Sequence, residues 1–544
     1  MTGNPRGAGK INGRPVTKKI KLAHTKPMTF FNEQAAAGQS ISADLEHNIQ
    51  RLETLFAGNG DMVKRKFKIG NTHHHAYVLF IDNMANSLAI EQGIIRPMLY
   101  HAQLTHERAA ADYFRAKNLF NALSDSVFMA ADFKPSDDFE ACVSAVMSGD
   151  TAVFISGYSQ AYIIASRGFA GRGVPETQTE IVVQGSKEAF AESLRTNTML
   201  IRRRLRDTNL VIEQSSVGHA TRTDMAMVYM KSLVREQVLA DIQVKVASLQ
   251  VDAIMDIGYL EQYIEGDYLS PFPQCQITER PDKAVSALLE GRVLLMVDNS
   301  PFALIVPTVL ACFFQSPEDY YNRFEIASMN RLLRYVGAVI AMVLPGLYVA
   351  IALYHPNMIP TELLLAMAQA RLRVPFPALV EILLMDVAFE LLKEAGLRLP
   401  SAISSAMGVV GGIIIGQAAV EAGLVSPIVV IIVALTAIAG FTLPTISLAP
   451  GIRISKYVIL FTSAVLGLLG FWLGCLVVLI HLASLKSFGF PYLYPFVSGD
   501  MNEGQDWQDT VVRPPLFRMK RRPIFTKAGA RMSRVHHVRK GGVS

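Results

Sequence analysis

The chain has only four cysteines, Cys142, Cys275, Cys312 and Cys475, and no two of them form a CxxC pair. That argues against a disulfide framework and against a cysteine-based zinc site. Acid is missing from both ends. Residues 1–32 hold seven Lys or Arg and no Asp or Glu, and the residues after Asp509 hold ten Lys or Arg and no acid. The N-terminal stretch also lacks an apolar run, so no cleavable signal peptide is expected and the soluble part is expected to stay in the cytoplasm. There is no P-loop, HExxH, GxSxG or paired metal-ligand motif. No catalytic residue, cofactor or metal is therefore expected, and the chain is not expected to be an enzyme.

What the chain does have is apolar residues, 51% of 544. Its mean hydropathy of +0.28 is high for a soluble protein. The apolar residues are unevenly placed. Residues 1–290 carry charges throughout, whereas 292–484 contain several long apolar runs, an asymmetry that a soluble domain does not show. The net charge of +6 resides largely at the two ends. Basic blocks beside a membrane segment favour the cytoplasmic face and anionic lipid, so membrane lipid rather than nucleic acid is the expected contact.

The expected fold is an α+β cytoplasmic N-terminal region of two subdomains, followed by an α-helical transmembrane domain of four to six helices. Residues 1–40 read as a disordered basic tail. Subdomain 1 covers 41–145, with a helix over 42–56 and a strand over 76–81. Subdomain 2 covers 146–290, with strands at 152–155, 161–166 and 226–229 and helices over 186–206 and 232–251. The membrane domain spans 291–490, and 491–544 form a basic C-terminal tail. A span needs about 20 mostly apolar residues. Residues 332–354, 402–420, 427–448 and 457–485 qualify. Two segments are marginal: 293–314, interrupted by Asp298-Asn299-Ser300-Pro301, and the acid-bearing 377–397.

Four constellations are candidates for function. Asp386, Glu390 and Glu394 are spaced i, i+4, i+8 and share one helix face. Carboxylates are costly in lipid, so the stripe reads either as a cation pathway or gate lining or as a helix lying in the interface with its acids in water. Gly408, Gly412 and Gly416 form a small-residue stripe suited to close helix packing, with Gln417 and Glu421 near the end of the same helix. Asp298 is either part of a re-entrant ion-binding turn or part of the junction between soluble and membrane parts. The basic run Arg195, Arg202, Arg203, Arg204 and Arg206 reads as a phosphate or lipid-headgroup site, or as a solvated or ion-paired face. Three consecutive histidines, His73 to His75, converge poorly on one metal and read as surface residues.

Longer phrases carry a family resemblance: SKEAFAESLRTNTMLIRRR (186–204), SPFPQCQITERP (270–281), LEGRVLLMVDNSPFALIVP (289–307), FFQSPEDYY (313–321), VPFPALVE (374–381), FELLKEAGLRLP (389–400) and PYLYPF (491–496). Together and in order they closely resemble the A subunit of GerA-type spore germination receptors. The resemblance implies a protein of the spore inner membrane that works with a transporter-like, germinant-binding B subunit and a lipoprotein C subunit. It further implies a pentameric, nutrient-gated cation channel. VPET at 174–177 and the histidine run depart from the family pattern. A SpoVAF-like accessory branch shares the architecture and is the alternative, as is a non-conducting scaffold for signalling partners.

Overall fold

Asp44 opens the first helix, its carboxylate accepting the Glu46 N–H at 3.0 Å, the usual way an orphan donor of a helix start is satisfied. The computed structural model describes residues 40–530, apart from 71, 105–119, 121–122, 124–127, 129–131, 169–174, 399–411, 413–415, 498–505 and 520. All of the expected tail 1–40 except Ser40 lies outside the described residues.

Helix α1 (Leu45–Leu55) buries Leu45, Ile49 and Leu52. It is followed by strands β1 (Met62–Lys68), β2 (His75–Ile81) and β3 (Phe133–Ser136), helix α2 (Phe139–Met147), and strands β4 (Thr151–Ile155) and β5 (Ala161–Ile164). They form an antiparallel sheet in the order β1-β2-β4-β5-β3. Helix α3 (Leu194–Arg204) then starts a second unit: strands β6 (Leu210–Val217) and β7 (Thr223–Met230), helices α4 (Glu236–Ala247) and α5 (Ile257–Ile264), strand β8 (Gln276–Thr278), helix α6 (Pro281–Leu289), and strands β9 (Val293–Val297) and β10 (Ala303–Val306). Its order is β6-β7-β9-β10-β8, the same arrangement strand for strand.

A buried asparagine repeats with it. Asn48 exchanges two hydrogen bonds with the backbone of Ser42, and Asn197 does the same with the backbone of Ala191. Each amide holds the chain that enters its helix. The N-terminal part is thus two copies of one α+β fold, joined by a shared apolar cluster that includes Leu79, Phe154, Leu200 and Leu294. Arg202 and Asp61, both buried, bridge the copies at 2.8 Å.

Several expectations need correction. The boundary expected at 145/146 falls inside helix α2, between strands β3 and β4 of the first sheet. The second sheet runs past 290, because the marginal span 293–314 is strand β9, a hairpin, strand β10 and a 3-10 turn (Leu310–Phe314). Strands buried on both faces read as continuous apolar runs, which mimics a membrane segment. The helix expected over 186–206 occupies only Leu194–Arg204. Strand β1, MVKRKFK, was not anticipated. It is an edge strand with its basic side chains turned to solvent, as edges that avoid aggregation are.

Burial, then the nearby Glu265 and Asp256, push the Glu261 carboxyl on α5 up to about 7. The folded chain favours its neutral form. That contribution to stability is complete below the ordinary carboxylate range and is lost as pH rises through about 7. Between pH ~5 and ~8 the melting temperature of the wild type is expected to fall relative to that of Glu261→Gln, as read by melting the two proteins side by side.

The C-terminal part is helical. Among the described residues two stretches are long and apolar enough to cross a membrane, Phe324–Tyr354 and Ile446–Ser484. Helix α7 (Phe324–Tyr354) is followed by α8 (Thr361–Arg371), α9 (Ala378–Arg398), α10 (Pro427–Gly440) and α11 (Ala449–Ser484). Helix α11 is not one rod. At Gly467, with φ 60° and ψ −137°, the chain turns back on itself, a conformation open only to glycine. Its first turn meets Phe272 at Gly451, and near its other end His481 Nε2 lies 2.9 Å from Ser270 Oγ. Both ends therefore sit against the same loop of the soluble part. Tyr354, at the far end of α7, donates to the carbonyls of Ala464 and Val465 just before the turn. Each arm has about 17 residues, roughly 26 Å. The expected single span over 457–485 is thus a helical hairpin. The span expected over 427–448 is a helix of 14 residues that stops at Gly440.

Candidate functional site

Large apolar side chains on the outer faces of α7 and α11 are exposed, among them Leu332, Val336, Val339, Phe461, Val465, Trp472 and Leu476. An exposed apolar surface of this extent marks a membrane or protein contact. Inside this helical bundle lies a set of acidic and basic side chains. Glu381 on α9 is fully buried and accepts the Ser426 N–H at 2.8 Å, with Arg371 at 3.3 Å. Asp386 pairs with Lys456, and both are buried. Glu390 pairs with Arg453 at 3.0 Å. Asp386 and Glu390 are one turn apart on α9, and Arg453 and Lys456 are one turn apart on the first arm of α11. The two rows meet as a ladder. Removing one member of such a pair leaves the other charge buried without compensation.

Of the stripe expected on α9, two acids therefore face cations of the same chain. The third, Glu394, pairs with Arg398 one turn along its own exposed face. Gln417 donates to Glu421 at 3.0 Å on an exposed helix surface. Asp298 is elsewhere: it lies in the β9–β10 hairpin and accepts the Leu194 N–H at 2.8 Å, closing the start of α3. Its placement on an ion path is thereby corrected. Gly408 lies outside the described residues. A Cβ at Gly412 would meet nothing within 4 Å, and one at Gly416 would make ordinary contact with Val430. The close approach between helices is instead at Gly346 of α7, where a Cβ would come within 2.8 Å of Ile459.

Four arginines of the expected basic run are spent within the chain, and Arg206, just past α3, is exposed. Arg202 holds Asp61, Arg203 and Arg204 hold Glu188, and Arg195 lies 3.4 Å from Asp82. His74 Nδ1 lies 2.8 Å from the Ser156 carbonyl.

A second charged cluster joins the soluble and helical parts. Arg331 of α7 is fully buried and reaches Asp319 and Asp509 at 3.2 and 2.9 Å. Arg334 reaches Asp319 at 2.8 Å. Tyr320 donates to Asp509 at 2.8 Å. Burial raises the Asp509 carboxyl above its usual range, and the Arg331 charge opposes the shift. Residues 506–530 are largely described and do not hang free as a tail. Arg235 donates to the Ile524 carbonyl, Thr526 Oγ1 donates to the Glu290 carbonyl, and Arg292 lies 4.2 Å from the Phe525 ring centre. This segment ties α7 to the second sheet unit and covers a cavity of about 790 Å³.

Reasoning from sequence missed Arg453 and Lys456. The signal was present, two cations at i, i+3 in GIRISK, matching acids at i, i+4 on α9.

A family model described as Bacillus/Clostridium GerA spore germination protein matches residues 50–525. The chain is 37% identical over 484 residues to spore germination protein KA of Bacillus subtilis (strain 168), covering 89% of this chain and 87% of the relative. It is 33% identical over 386 residues to stage V sporulation protein AF of the same organism, covering 69% and 77%. A crystal structure of the N-terminal domain of the A subunit of the Bacillus megaterium spore germinant receptor GerK3 aligns at 27% identity with a TM-score of 0.39, covering 50% of this chain and 98% of that one.

Proposed function

We propose a role that starts from one premise: the chain belongs to the Bacillus/Clostridium GerA spore germination protein family. It acts as the A subunit of a nutrient germinant receptor in the spore inner membrane, and it conducts cations as a homo-oligomer, a pentamer. Its partners are a transporter-like B subunit that binds the germinant and a lipoprotein C subunit. It performs no enzymatic chemistry.

The observation that carries this reading is the Asp386–Lys456 and Glu390–Arg453 ladder within an apolar helical bundle. Charges so placed line an ion path or hold a movable element. Here they hold α9 against α11, which makes the ladder a latch of the closed state. Rings of acid select cations. In the oligomer the exposed Glu421 and Gln417 supply the ring, and Asp386 and Glu390 join it once their cations withdraw. We read the helical part as crossing the membrane an even number of times, the span expected over 402–420 lying largely outside the described residues. An even number returns the chain to the side of the soluble units, which is the cytoplasm.

Cation flux from liposomes holding the purified chain tests the reading. Glu421→Gln is expected to lower K⁺ flux by about tenfold, the size of one lost electrostatic interaction of ~1.4 kcal/mol. Flux equal to that of the wild type in Glu421→Gln and also in Asp386→Ala and Glu390→Ala would remove the acid-lined pathway.

A further inference from the structure

Residues 255–269 comprise α5 and the turns on either side of it. The side chains exposed along this stretch are Met255, Tyr259, Gln262, Tyr263, Tyr268 and Leu269, and none of them is charged. A helix on the surface of a soluble domain normally turns its charges to water. Here the acids are drawn inward. Asp256 accepts the Gly258 N–H at 2.9 Å and the Ser300 hydroxyl at 2.6 Å. Glu265 accepts the Gln274 N–H at 2.7 Å, and Asp267 accepts the Leu269 N–H at 3.1 Å. Glu261 is partly buried.

Tyr268 and Leu269 stand furthest out, 83% and 78% exposed. The turn that carries them is held in place. The buried Gln274 side chain accepts the N–H groups of Gly266 and Asp267, both at 3.1 Å, and donates to the Asp267 carbonyl at 2.8 Å. Two large apolar side chains are thus fixed at the tip of a braced turn. Its place in the molecule points to what covers them. Ser270 and Phe272 follow directly and meet the two feet of the α11 hairpin, at His481 and Gly451. Phe272 belongs to the apolar cluster of the helical bundle, with Ala338, Leu448, Ile459 and Phe471. Ser487, just past α11, donates to the Gln274 carbonyl at 2.8 Å, and its neighbour Lys486 is exposed. The turn therefore adjoins the level at which the apolar outer face of the bundle begins.

We propose that this face docks on the bilayer: Tyr268 and Leu269 insert into the leaflet nearest the soluble units, Tyr259 and Tyr263 lie at the headgroup level, and Lys486 meets anionic headgroups. The inference rests on the reading of α7 and α11 as membrane-spanning. Tyrosine suits this level because its ring is apolar while its hydroxyl stays in water. An apolar face lying in the interface sinks about 5–10 Å into the boundary between headgroups and acyl chains. An exposed lysine at that boundary is attracted by anionic lipid, and the acids that such lipid would repel are the ones turned inward. The second sheet unit is then held to the membrane at the base of the hairpin by lipid as well as by protein contacts.

Tryptophan quenching by brominated lipid tests this, with the full chain in vesicles of phosphatidylcholine and phosphatidylglycerol. The chain has two tryptophans, Trp472 and Trp507. Trp472 is exposed on the second arm of α11, so in a Trp507→Phe chain it reports whether the bundle is in the bilayer. Tyr268→Trp, in a chain with Trp472→Phe and Trp507→Phe, reports docking, and because the position is so exposed the change should leave the melting temperature unaltered. Its fluorescence is expected to be quenched several-fold more by lipid brominated near the headgroup end of the acyl chain than by lipid brominated near the terminal methyl. Tyr268→Asp together with Leu269→Asp should remove most of the quenching seen for Tyr259→Trp in the same background. Quenching of Trp472 without quenching of Tyr268→Trp overturns the docking face and leaves the spanning reading standing. Quenching of neither removes the spanning reading and the docking face with it. Shielding of Tyr268→Trp from aqueous iodide without quenching by lipid assigns the face to a second copy of the chain and overturns the bilayer as its occupant.

Discussion

Arg331→Met is expected to cost about 3–5 kcal/mol of stability, because it leaves Asp319 and Asp509 facing each other without their shared cation. Asp319 is 2% exposed and Arg331 is not exposed at all, so Asp319 is left with Arg334 alone, and only Asp509, 23% exposed on its side chain, can be partly hydrated. The Asp509 carboxyl is already raised by burial and would have to take up a proton or move out. The damage should be local at first. The segment 506–530 should detach from α7, while its contacts with Arg235 and Glu290 on the second sheet unit persist. Limited proteolysis near 509–513 and thermal melting in detergent measure this. Arg334→Met, which removes a cation that is 13% exposed on its side chain, should cost clearly less. Equal melting temperatures for Arg331→Met and the wild type would show that the cluster does not hold the junction.

Breaking the ladder should have an effect of similar size. Asp386→Leu leaves Lys456 as a buried, unpaired ammonium, and Lys456→Met leaves Asp386 as a buried, unpaired carboxylate. Each single change is expected to cost about 3–5 kcal/mol. The double variant restores an apolar contact and should recover wild-type stability or exceed it by up to about 4 kcal/mol. If the ladder is a latch, recovery of stability will not bring recovery of function. The double variant should melt like the wild type and yet differ from it in resting cation leak. Additive losses in the double variant would mean that the two side chains do not interact.

The division into a soluble part followed by an apolar helical part was legible in the sequence, because charge density changes abruptly near 290. Helix α1 was also legible from Leu45, Ile49 and Leu52 at helical spacing. The acids of α9 were recognised as residues that need partners, since the cost of a carboxylate among apolar residues does not depend on the fold. The partners were not found, because Lys456 lies 70 residues from Asp386 and Arg453 lies 63 from Glu390, and their pairing is a fact of tertiary packing. The hairpin 293–306 was misread for the opposite reason: five and four apolar residues around a polar turn look alike as a broken span and as two buried strands. The reversal at Gly467 was illegible because a single glycine in an apolar helix carries no signal beyond its own identity. The duplication of the sheet units left one local trace, Asn48 and Asn197, which gains meaning only once both are seen bonding the chain six residues upstream.

The proposed cation-selective path can be tested by electrical recording. The most direct measurement is the reversal potential of the purified chain in a planar bilayer under a KCl gradient. A cation-selective path gives a reversal potential displaced toward the K⁺ equilibrium potential, and a shift toward zero when Glu421 is changed to Gln. A bilayer that stays silent, or a reversal potential displaced toward the Cl⁻ equilibrium potential, would contradict it.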